Sequence, residues 1–330
     1  MLFRSHGQDR ITNVDGVRAV AAYRPSAGIP LLRFAYPHAT RKIAAMREID
    51  ADVYYQSPSS ADTGLTAWFC RRFGKRCVVR IASDLGCIPG QQLIRYWRDR
   101  KIYEYGLRNA GLIVAQTVQQ QQLLMKHYQL PSEVVNMAVE VPAEHAVDKD
   151  IDVLWVANFR PVKRPGIVFD LARRLPHLKF TLAGGALPGG RDYFDSMLQK
   201  ARELPNVTCL GAVPYRAVGE LFSRARVFLN TSSMEGFPNT FLQAWIRAVP
   251  VVTFFDPDGL VRDRQFGYAV ATVDEMAGAL ECLLQDAALR RRMGERARTF
   301  AVAEFSARRV AQRYLDLLDG YERPQQLLSA

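Results

Sequence analysis

From about residue 50 onward, short apolar runs alternate with longer mixed segments. Val53-Tyr54-Tyr55, Cys77-Val78-Val79-Arg80-Ile81 and Leu112-Ile113-Val114-Ala115 read as strands, and segments 60–73, 91–108 and 118–128 read as helices between them. A polar, proline-bearing stretch at 141–150 interrupts the pattern and is taken as an interdomain linker. The alternation restarts with Val153-Leu154-Trp155-Val156-Ala157, Phe180-Thr181-Leu182-Ala183 and Val207-Thr208-Cys209-Leu210, followed by strands at Phe228 and Val251. Helical spacing through Met276, Ala279, Leu280, Leu283, Leu284 and then Val310, Tyr314, Leu317, Leu318 fills the C-terminal part. The pattern predicts an α/β fold with two doubly wound Rossmann-like domains, 1–140 and 151–330, and a ligand cleft between them along the strand C-terminal ends. Val14 to Tyr23 reads as an inner strand with no strand–loop–helix unit before it, so the first domain is expected to be incomplete.

A length of 330 residues supports two cores. No apolar run approaches the roughly 18 residues that span a bilayer, and Met1 to Gly7 has neither the apolar region nor the cleavage pattern of a signal peptide. The five cysteines are scattered and never in C-x-x-C spacing, which reads as thiols in a reducing cytosol. The five histidines are equally dispersed, so no zinc site suggests itself. The net charge of +11 divides almost evenly about residue 150, with clusters at Arg71, Arg72, Lys75 and Arg76, at Arg95, Arg98, Arg100 and Lys101, and at Arg290 to Arg292. These are either solvated helix faces or surfaces that attract anions: nucleotide phosphates or an anionic membrane. No nucleic-acid motif accompanies them, so nucleic acid is not expected as a partner.

The chemistry concentrates on strand-to-helix loops. Ser232-Ser233-Met234-Glu235-Gly236-Phe237-Pro238-Asn239-Thr240-Phe241-Leu242-Gln243-Ala244 follows the Phe228 strand, and Thr240 to Arg247 has helical spacing. An acidic residue, a glycine and a proline thus precede a helix N-terminus, whose free N–H groups and dipole attract an anion, phosphate above all. Asn158-Phe159-Arg160-Pro161-Val162-Lys163-Arg164-Pro165 follows the Val153 strand and carries three cations. Arg160 and Lys163 either reach a diphosphate or lie on a solvated loop; the facing turn at Asn239 favours the diphosphate. Glycines around Gly185, in the loop Gly184 to Gly190, either admit a ligand close to backbone or form a flexible turn, and they lack G-x-G-x-x-G spacing. Gly211-Ala212-Val213-Pro214-Tyr215 offers a backbone contact for a nucleobase at Val213.

Together these loops resemble the nucleotide-sugar-binding half of retaining glycosyltransferases of the GT-B fold, specifically glycosyltransferase family 4. The Lys163 segment resembles the family's phosphate-binding Arg/Lys loop. Glu235-Gly236-Phe237-Pro238-Asn239 resembles the start of its Glu–seven residues–Glu motif, with Ala244 and Pro250-Val251-Val252 in their usual places. The likeness covers residues 150–320 well and reaches the first domain through Ala51-Asp52-Val53-Tyr54, Ile81-Ala82-Ser83-Asp84 and Ala115-Gln116-Thr117. Three departures stand out: Gln243 replaces the second glutamate of the motif, Asn158 stands where an arginine is expected, and the first domain begins late.

The resemblance implies transfer of a sugar from a nucleotide-diphosphate donor to a glycan or lipid-linked acceptor, with retention at the anomeric carbon. Lys163 and Arg160 would neutralise the diphosphate, with Asn158 beside them and backbone of Gly236, Phe237, Pro238, Asn239 and Thr240 assisting. Glu235 would accept from sugar hydroxyls, or cap its own loop's N–H groups, and Gln243 would accept from the ribose. Asp84, after a first-domain strand, would contact the acceptor. No cofactor and no metal are expected: Asp50-Ala51-Asp52 and Asp256-Pro257-Asp258 match D-x-D, a pattern that arises often by chance. The expected place is the cytoplasm, peripheral on the inner membrane face, in cell-surface polysaccharide synthesis. The alternatives are a non-catalytic nucleotide-sugar-binding module and an epimerase acting on the nucleotide sugar alone.

Overall fold

Runs that are apolar on consecutive positions, rather than on alternate ones, belong to strands covered on both faces. In the computed structural model, which describes residues 2–4, 11–14, 16–21, 34–57, 59–143 and 147–320, these runs are parallel strands. The chain divides into two units. One holds the residues up to Val114 together with His127–Glu133, and the other holds Ala115–Lys126 and Val134–Gly320.

In the first unit, β1 (Leu2–Arg4), β2 (Ile11–Val14) and β3 (Val17–Ala21) form a three-stranded sheet in the order β1-β3-β2. β3 is parallel to β1 and antiparallel to β2. The inner strand expected over 14–23 is β3, which lies between β1 and β2, but it starts later: Gly16, at φ +83°, turns the chain between β2 and β3, Val14 belongs to β2, and β1 and β2 precede that strand. Residues 22 and 23 lie outside the described set. Then come α1 (Thr40–Ile49), β4 (Val53–Gln56), α2 (Ala61–Phe73), β5 (Arg76–Arg80), α3 (Trp97–Arg108) and β6 (Leu112–Ala115), followed along the chain by α4 (Val118–Tyr128), which belongs to the second unit up to Lys126, and β7 (Glu133–Val134). The second sheet is ordered β4-β5-β6-β7, and β4, β5 and β6 are parallel. Ser60 starts α2 by accepting from the Asp62 N–H at 3.2 Å, a side-chain cap.

Two glycines bring α2 and α3 into backbone contact. A Cβ on Gly64 would lie 2.2 Å from the Ile102 carbonyl oxygen, and one on Gly106 would lie 2.6 Å from the Gly64 nitrogen. The helix expected over 91–108 begins only at Trp97. Before it, Ile94 N–H donates to the Gln92 carbonyl at 2.6 Å, a three-residue turn that helical backbone cannot make.

The second unit runs β8 (Ile151–Val156), α5 (Pro165–Arg174), β9 (Phe180–Ala183), α6 (Arg191–Arg202), β10 (Val207–Cys209), α7 (Tyr215–Arg224), β11 (Ala225–Asn230), α8 (Asn239–Trp245), β12 (Val251–Thr253), α9 (Leu260–Asp263) and β13 (Gly267–Ala269). Helices α10 (Val273–Gln285), α11 (Ala287–Phe305) and α12 (Ala307–Asp319) follow. Its six strands are parallel in the order β10-β9-β8-β11-β12-β13. Counted from β8 this is 3-2-1-4-5-6, the doubly wound order of dinucleotide-binding folds. One sheet face is covered by a layer including Val168 and Phe169 of α5, Met197 of α6 and Leu280 of α10. The other is covered by Phe222 of α7, Phe241 and Trp245 of α8 and Phe305 of α11. Helices α5 and α8 therefore leave neighbouring strands β8 and β11 toward opposite faces, which opens a crevice at the carboxyl ends of those two strands. Among the described residues, no helix is long and apolar enough to cross a membrane.

Candidate active site

The site follows from that crevice, because its walls are the loops after β8 and β11. After β8, Arg160 leads into a tight turn Pro161–Lys163, and Arg164 adopts φ +46° before Pro165 opens α5. A non-glycine residue persists in that region only when its neighbours hold it, and here they do. The Arg164 guanidinium donates to the carbonyls of Thr231 at 2.7 Å and Ser232 at 3.2 Å, and lies 4.6 Å from the Phe254 ring centroid. Thr231 Oγ1 donates to the Lys163 carbonyl at 2.6 Å and accepts from the Trp155 indole at 3.0 Å. Ser233 N–H donates to the Val162 carbonyl at 2.9 Å. The two loops are thus clasped together by hydrogen bonds before any ligand arrives. Burial lowers the Arg164 pKa from its ordinary value.

This clasp places Lys163 against Glu235. Lys163 Nζ lies 2.5 Å from Glu235 Oε1, and each side chain is 14% exposed. Asn230, the last residue of β11, donates to the same oxygen at 3.4 Å, while its own Oδ1 accepts from the Ser232 N–H at 2.9 Å. The structure therefore brings together the two residues the sequence marks most strongly. Arg160 and Asn158 are exposed on the same loop as Lys163.

The helix behind Glu235 begins one residue earlier than its apolar spacing indicates. α8 starts at Asn239, with Pro238 as its N-cap and no side-chain cap; Phe241 N–H donates to the Pro238 carbonyl at 2.9 Å, while the N–H groups of Asn239 and Thr240 before it have no intrahelical acceptor. Phe237 is 5% exposed, and its ring packs on Trp245 and Phe305 at 6.1 and 5.5 Å. With Pro238 also buried, these two residues offer only backbone and shape to a ligand. Gly236 and Thr240 are half-buried, and Asn239 is exposed.

Further loops at the carboxyl edge are laced to the first. Phe159 N–H donates to the Gly185 carbonyl at 3.0 Å, and Gly184 N–H to the Gly211 carbonyl at 2.8 Å. Gly184, at φ +156°, is packed so closely that a Cβ would sit 1.8 Å from the Ala157 carbonyl oxygen. Val213 packs half-buried against the layer that holds Phe222 and Phe228.

Gln243 has a partner that sequence reasoning missed. Arg247, one turn on, donates to Gln243 Oε1 at 2.8 Å and to the Gln243 carbonyl at 3.2 Å. Arginine can only donate, so the amide oxygen faces Arg247 and the NH2 group is what remains for a ligand. The position therefore offers the amide NH2 as a donor, beside the remaining lone pair of an oxygen already held by Arg247. Arg247 Nε is buried without a partner, and burial lowers the pKa of the guanidinium. The signal was the i, i+4 spacing of Gln243 and Arg247 on one helix.

The D-x-D carboxylates are engaged elsewhere. Asp256 accepts from the N–H groups of Val261 at 2.7 Å and Arg262 at 3.2 Å, and burial raises its pKa against those bonds. Asp258 accepts from the first N–H groups of α4, Val118 at 2.9 Å and Gln119 at 3.2 Å. Asp50 ends α1 at φ +46° and pairs with Lys75 at 2.7 Å. No cluster of three His, Cys, Asp or Glu side chains suited to a metal occurs among the described residues. In the first unit, Asp84 is half-buried and opens a short turn after β5, and its charge contributes, after burial, to raising the Cys87 thiol to about 12.

Residues 139–300 match the family glycosyl transferases group 1, so the chain carries a domain of that family. Over 96 residues it is 34% identical to the lipopolysaccharide core biosynthesis glycosyltransferase LpsE of Rhizobium meliloti, a match covering 28% of each chain. Over 147 residues it is 34% identical to a D-inositol 3-phosphate glycosyltransferase of Mycolicibacterium paratuberculosis, covering 42% of this chain and 33% of the relative. The matched stretches thus span no more than about a third of these relatives' lengths. Among solved structures, a sucrose-phosphate synthase from Thermosynechococcus elongatus matches with a TM-score of 0.77 at 17% identity, over 95% of this chain and 86% of its own. Anabaena HepE, crystallised with UDP and glucose, matches with a TM-score of 0.71 at 16% identity, over 88% and 83%. The fold is that of GT-B glycosyltransferases.

Proposed function

We propose that this chain moves a sugar from a nucleotide-diphosphate donor to a glycan or lipid-linked acceptor, with retention at the anomeric carbon and without a metal, in cell-surface polysaccharide synthesis. The observation that carries the reading is the Lys163–Glu235 pair at the β8–β11 switch point, beside the uncapped start of α8. A donor diphosphate is a better partner for Lys163 than a carboxylate, because it brings more charge and also engages Arg160 and the α8 N–H groups. On binding it takes Lys163 from Glu235. The freed carboxylate then accepts from sugar hydroxyls, while the Gln243 NH2 group donates to the ribose.

In the reaction, the acceptor hydroxyl oxygen bonds to the anomeric carbon on the face from which the diphosphate oxygen departs. The acceptor's proton passes to that leaving oxygen, and the nucleoside diphosphate is released. Lys163 and Arg160 stabilise the charge that grows on the leaving group, and the preformed clasp holds them in place. Asp84 serves the acceptor. Several structural neighbours were crystallised with UDP, so UDP is the first nucleotide to try.

The test is a thermal-shift panel of uridine, guanosine and adenosine diphosphates. A nucleotide at about 100 times its Kd stabilises the fold by about 2.7 kcal/mol, and Lys163→Ala is expected to abolish the shift. No shift with any of them sinks the proposal. Binding without sugar transfer or donor hydrolysis identifies a non-catalytic module instead. Conversion of the nucleotide sugar without acceptor identifies an epimerase.

A further inference from the structure

We propose that Lys149, at the end of the second unit's sheet opposite the crevice, forms a carbamate with carbon dioxide. Lys149 stands just before β8 and is half-buried. Its Nζ donates to the Ala225 carbonyl at 2.8 Å and to the Ser223 carbonyl at 3.5 Å, where α7 runs into β11. Ala225 pairs with Ile151 at the first rung of the β8–β11 ladder, so the amine is folded back onto the amino edge of the sheet.

Lysine is seldom withdrawn from water unless a carboxylate accompanies it, and among the described residues none pairs with Lys149. The carboxylates on either side of it are engaged by other cations. Asp150 holds the Arg224 guanidinium at 2.8 and 2.5 Å, and Asp152 accepts from Arg226 at 2.7 Å and from the Lys179 N–H at 3.0 Å. Arg226 also donates to the Lys149 carbonyl at 3.0 Å. From α11, Glu295 contributes a favourable charge without an ion pair, and Arg290 contributes a larger unfavourable one. Arg290 is itself half-buried and has no acidic partner among the described residues; its guanidinium donates to the Leu283 and Leu284 carbonyls at 2.7 and 3.3 Å. Burial and then the Arg290 charge lower the Lys149 pKa to about 8. At about pH 7.5, roughly a quarter of the molecules therefore carry the neutral amine, against about a thousandth for a lysine at its ordinary value.

The surroundings favour this product. The Nζ lone pair adds to the carbon of carbon dioxide, one C–O π pair moves onto oxygen, and the nitrogen gives one proton to water. The resulting N–COO− group keeps one N–H, enough for the Ala225 bond. A half-buried cation without a counter-ion is thereby replaced by an anion in the field of Arg290. Acylation of the same amine would yield a neutral amide and leave Arg290 uncompensated. The nucleotide site lies at the other edge of the sheet, and carbamate formation does not depend on it.

The experiment is carbamate trapping on the full chain. The protein is equilibrated with isotopically labelled carbon dioxide and bicarbonate at about pH 7.5, treated with a trialkyloxonium salt that fixes carbamates as esters, digested and mapped by mass spectrometry. Label is expected on Lys149 and on the α-amino group, which ordinarily titrates near pH 8 and serves as the positive control. The exposed Lys101 and Lys200 should stay unlabelled. In carbon NMR of the labelled sample, Lys149→Arg should lose one carbamate resonance and keep that of the α-amino group. Arg290→Gln should weaken the Lys149 resonance, about tenfold for each pKa unit that the lysine regains. The mapping uses the unmodified chain, so it decides the matter even if a variant fails to fold. An unlabelled Lys149, or label spread equally over Lys101 and Lys200, overturns the proposal. A rise in melting temperature that bicarbonate and inorganic phosphate share, with Lys149 unlabelled, overturns it too and assigns the cations to simple anion binding.

Discussion

At Gln243 a single amide changes what a helix offers its ligand. The family pattern leads one to expect a carboxylate there, and a carboxylate would pair directly with Arg247. With glutamine in place, Arg247 has two neutral acceptors on Gln243 and a buried Nε without a partner. Gln243→Glu should therefore stabilise the fold by about 0.5–1.5 kcal/mol, since a hydrogen bond to a charged acceptor replaces one to a neutral acceptor. Denaturant melts of the two proteins check this, and a fall in stability would show that Arg247 is already satisfied. Lys163 and Glu235 were legible in the sequence because each stands after an apolar strand, on a loop with a helix behind it. Arg164 was less so, since its part depends on the Thr231 and Ser232 carbonyls of a loop more than sixty residues away.

Among the elements, the loop after β9 shows how a close approach sets a site. Gly184→Ala drives a methyl group into the Ala157 carbonyl, in a backbone conformation that L residues rarely adopt. A loss of about 2–5 kcal/mol is expected, the sum of strain and overpacking, with weaker nucleotide binding because the carbonyl lies next to Asn158. Gly189→Ala, at φ +77° with open space around its Cβ position, should cost only the backbone strain, about 1–3 kcal/mol. Equal losses in the two variants would refute the packing argument. Most strands and helices were legible because doubly covered strands are apolar throughout. The β2–β3 hairpin was missed although Asp15-Gly16, a turn dipeptide, stands in the sequence. Its strands are short, and the apolar residues of β3, extended back to Val14, read as a single strand. Residues 91–96 were read as helix because Leu93, Ile94 and Trp97 fit helical spacing, whereas the anchor that bends them, Gln92 donating to the Tyr128 hydroxyl at 2.7 Å, is a tertiary contact.

For the whole molecule, pH acts through Lys149. Burial, with the Arg290 charge adding to it, lowers this lysine from 10.5 to about 8, and its Nζ donates to the Ala225 carbonyl at 2.8 Å. Below about pH 8 both folded and unfolded chains carry its proton, and the folded state bears the full burial penalty. Between about pH 8 and 10.5 the folded lysine is neutral while the unfolded one stays charged, so the unfolded state binds more protons. Stability from this group therefore rises with pH across that window. Chemical denaturation at a series of pH values should show the rise flattened in Lys149→Met relative to the parent chain; identical slopes would discount the shift. The α/β class was legible from the chain, but the strand order was not. That β8 lies beside β11 is decided by where α5 and α8 pack, and this neighbourhood creates the crevice. The Gly64–Gly106 crossing carries one more implication. Because α2 holds α3 through main-chain contact, the tilt of α3 does not depend on the side chains along its outer edge. That edge can be rewritten residue by residue, by selection or by design, with the scaffold beneath it unchanged.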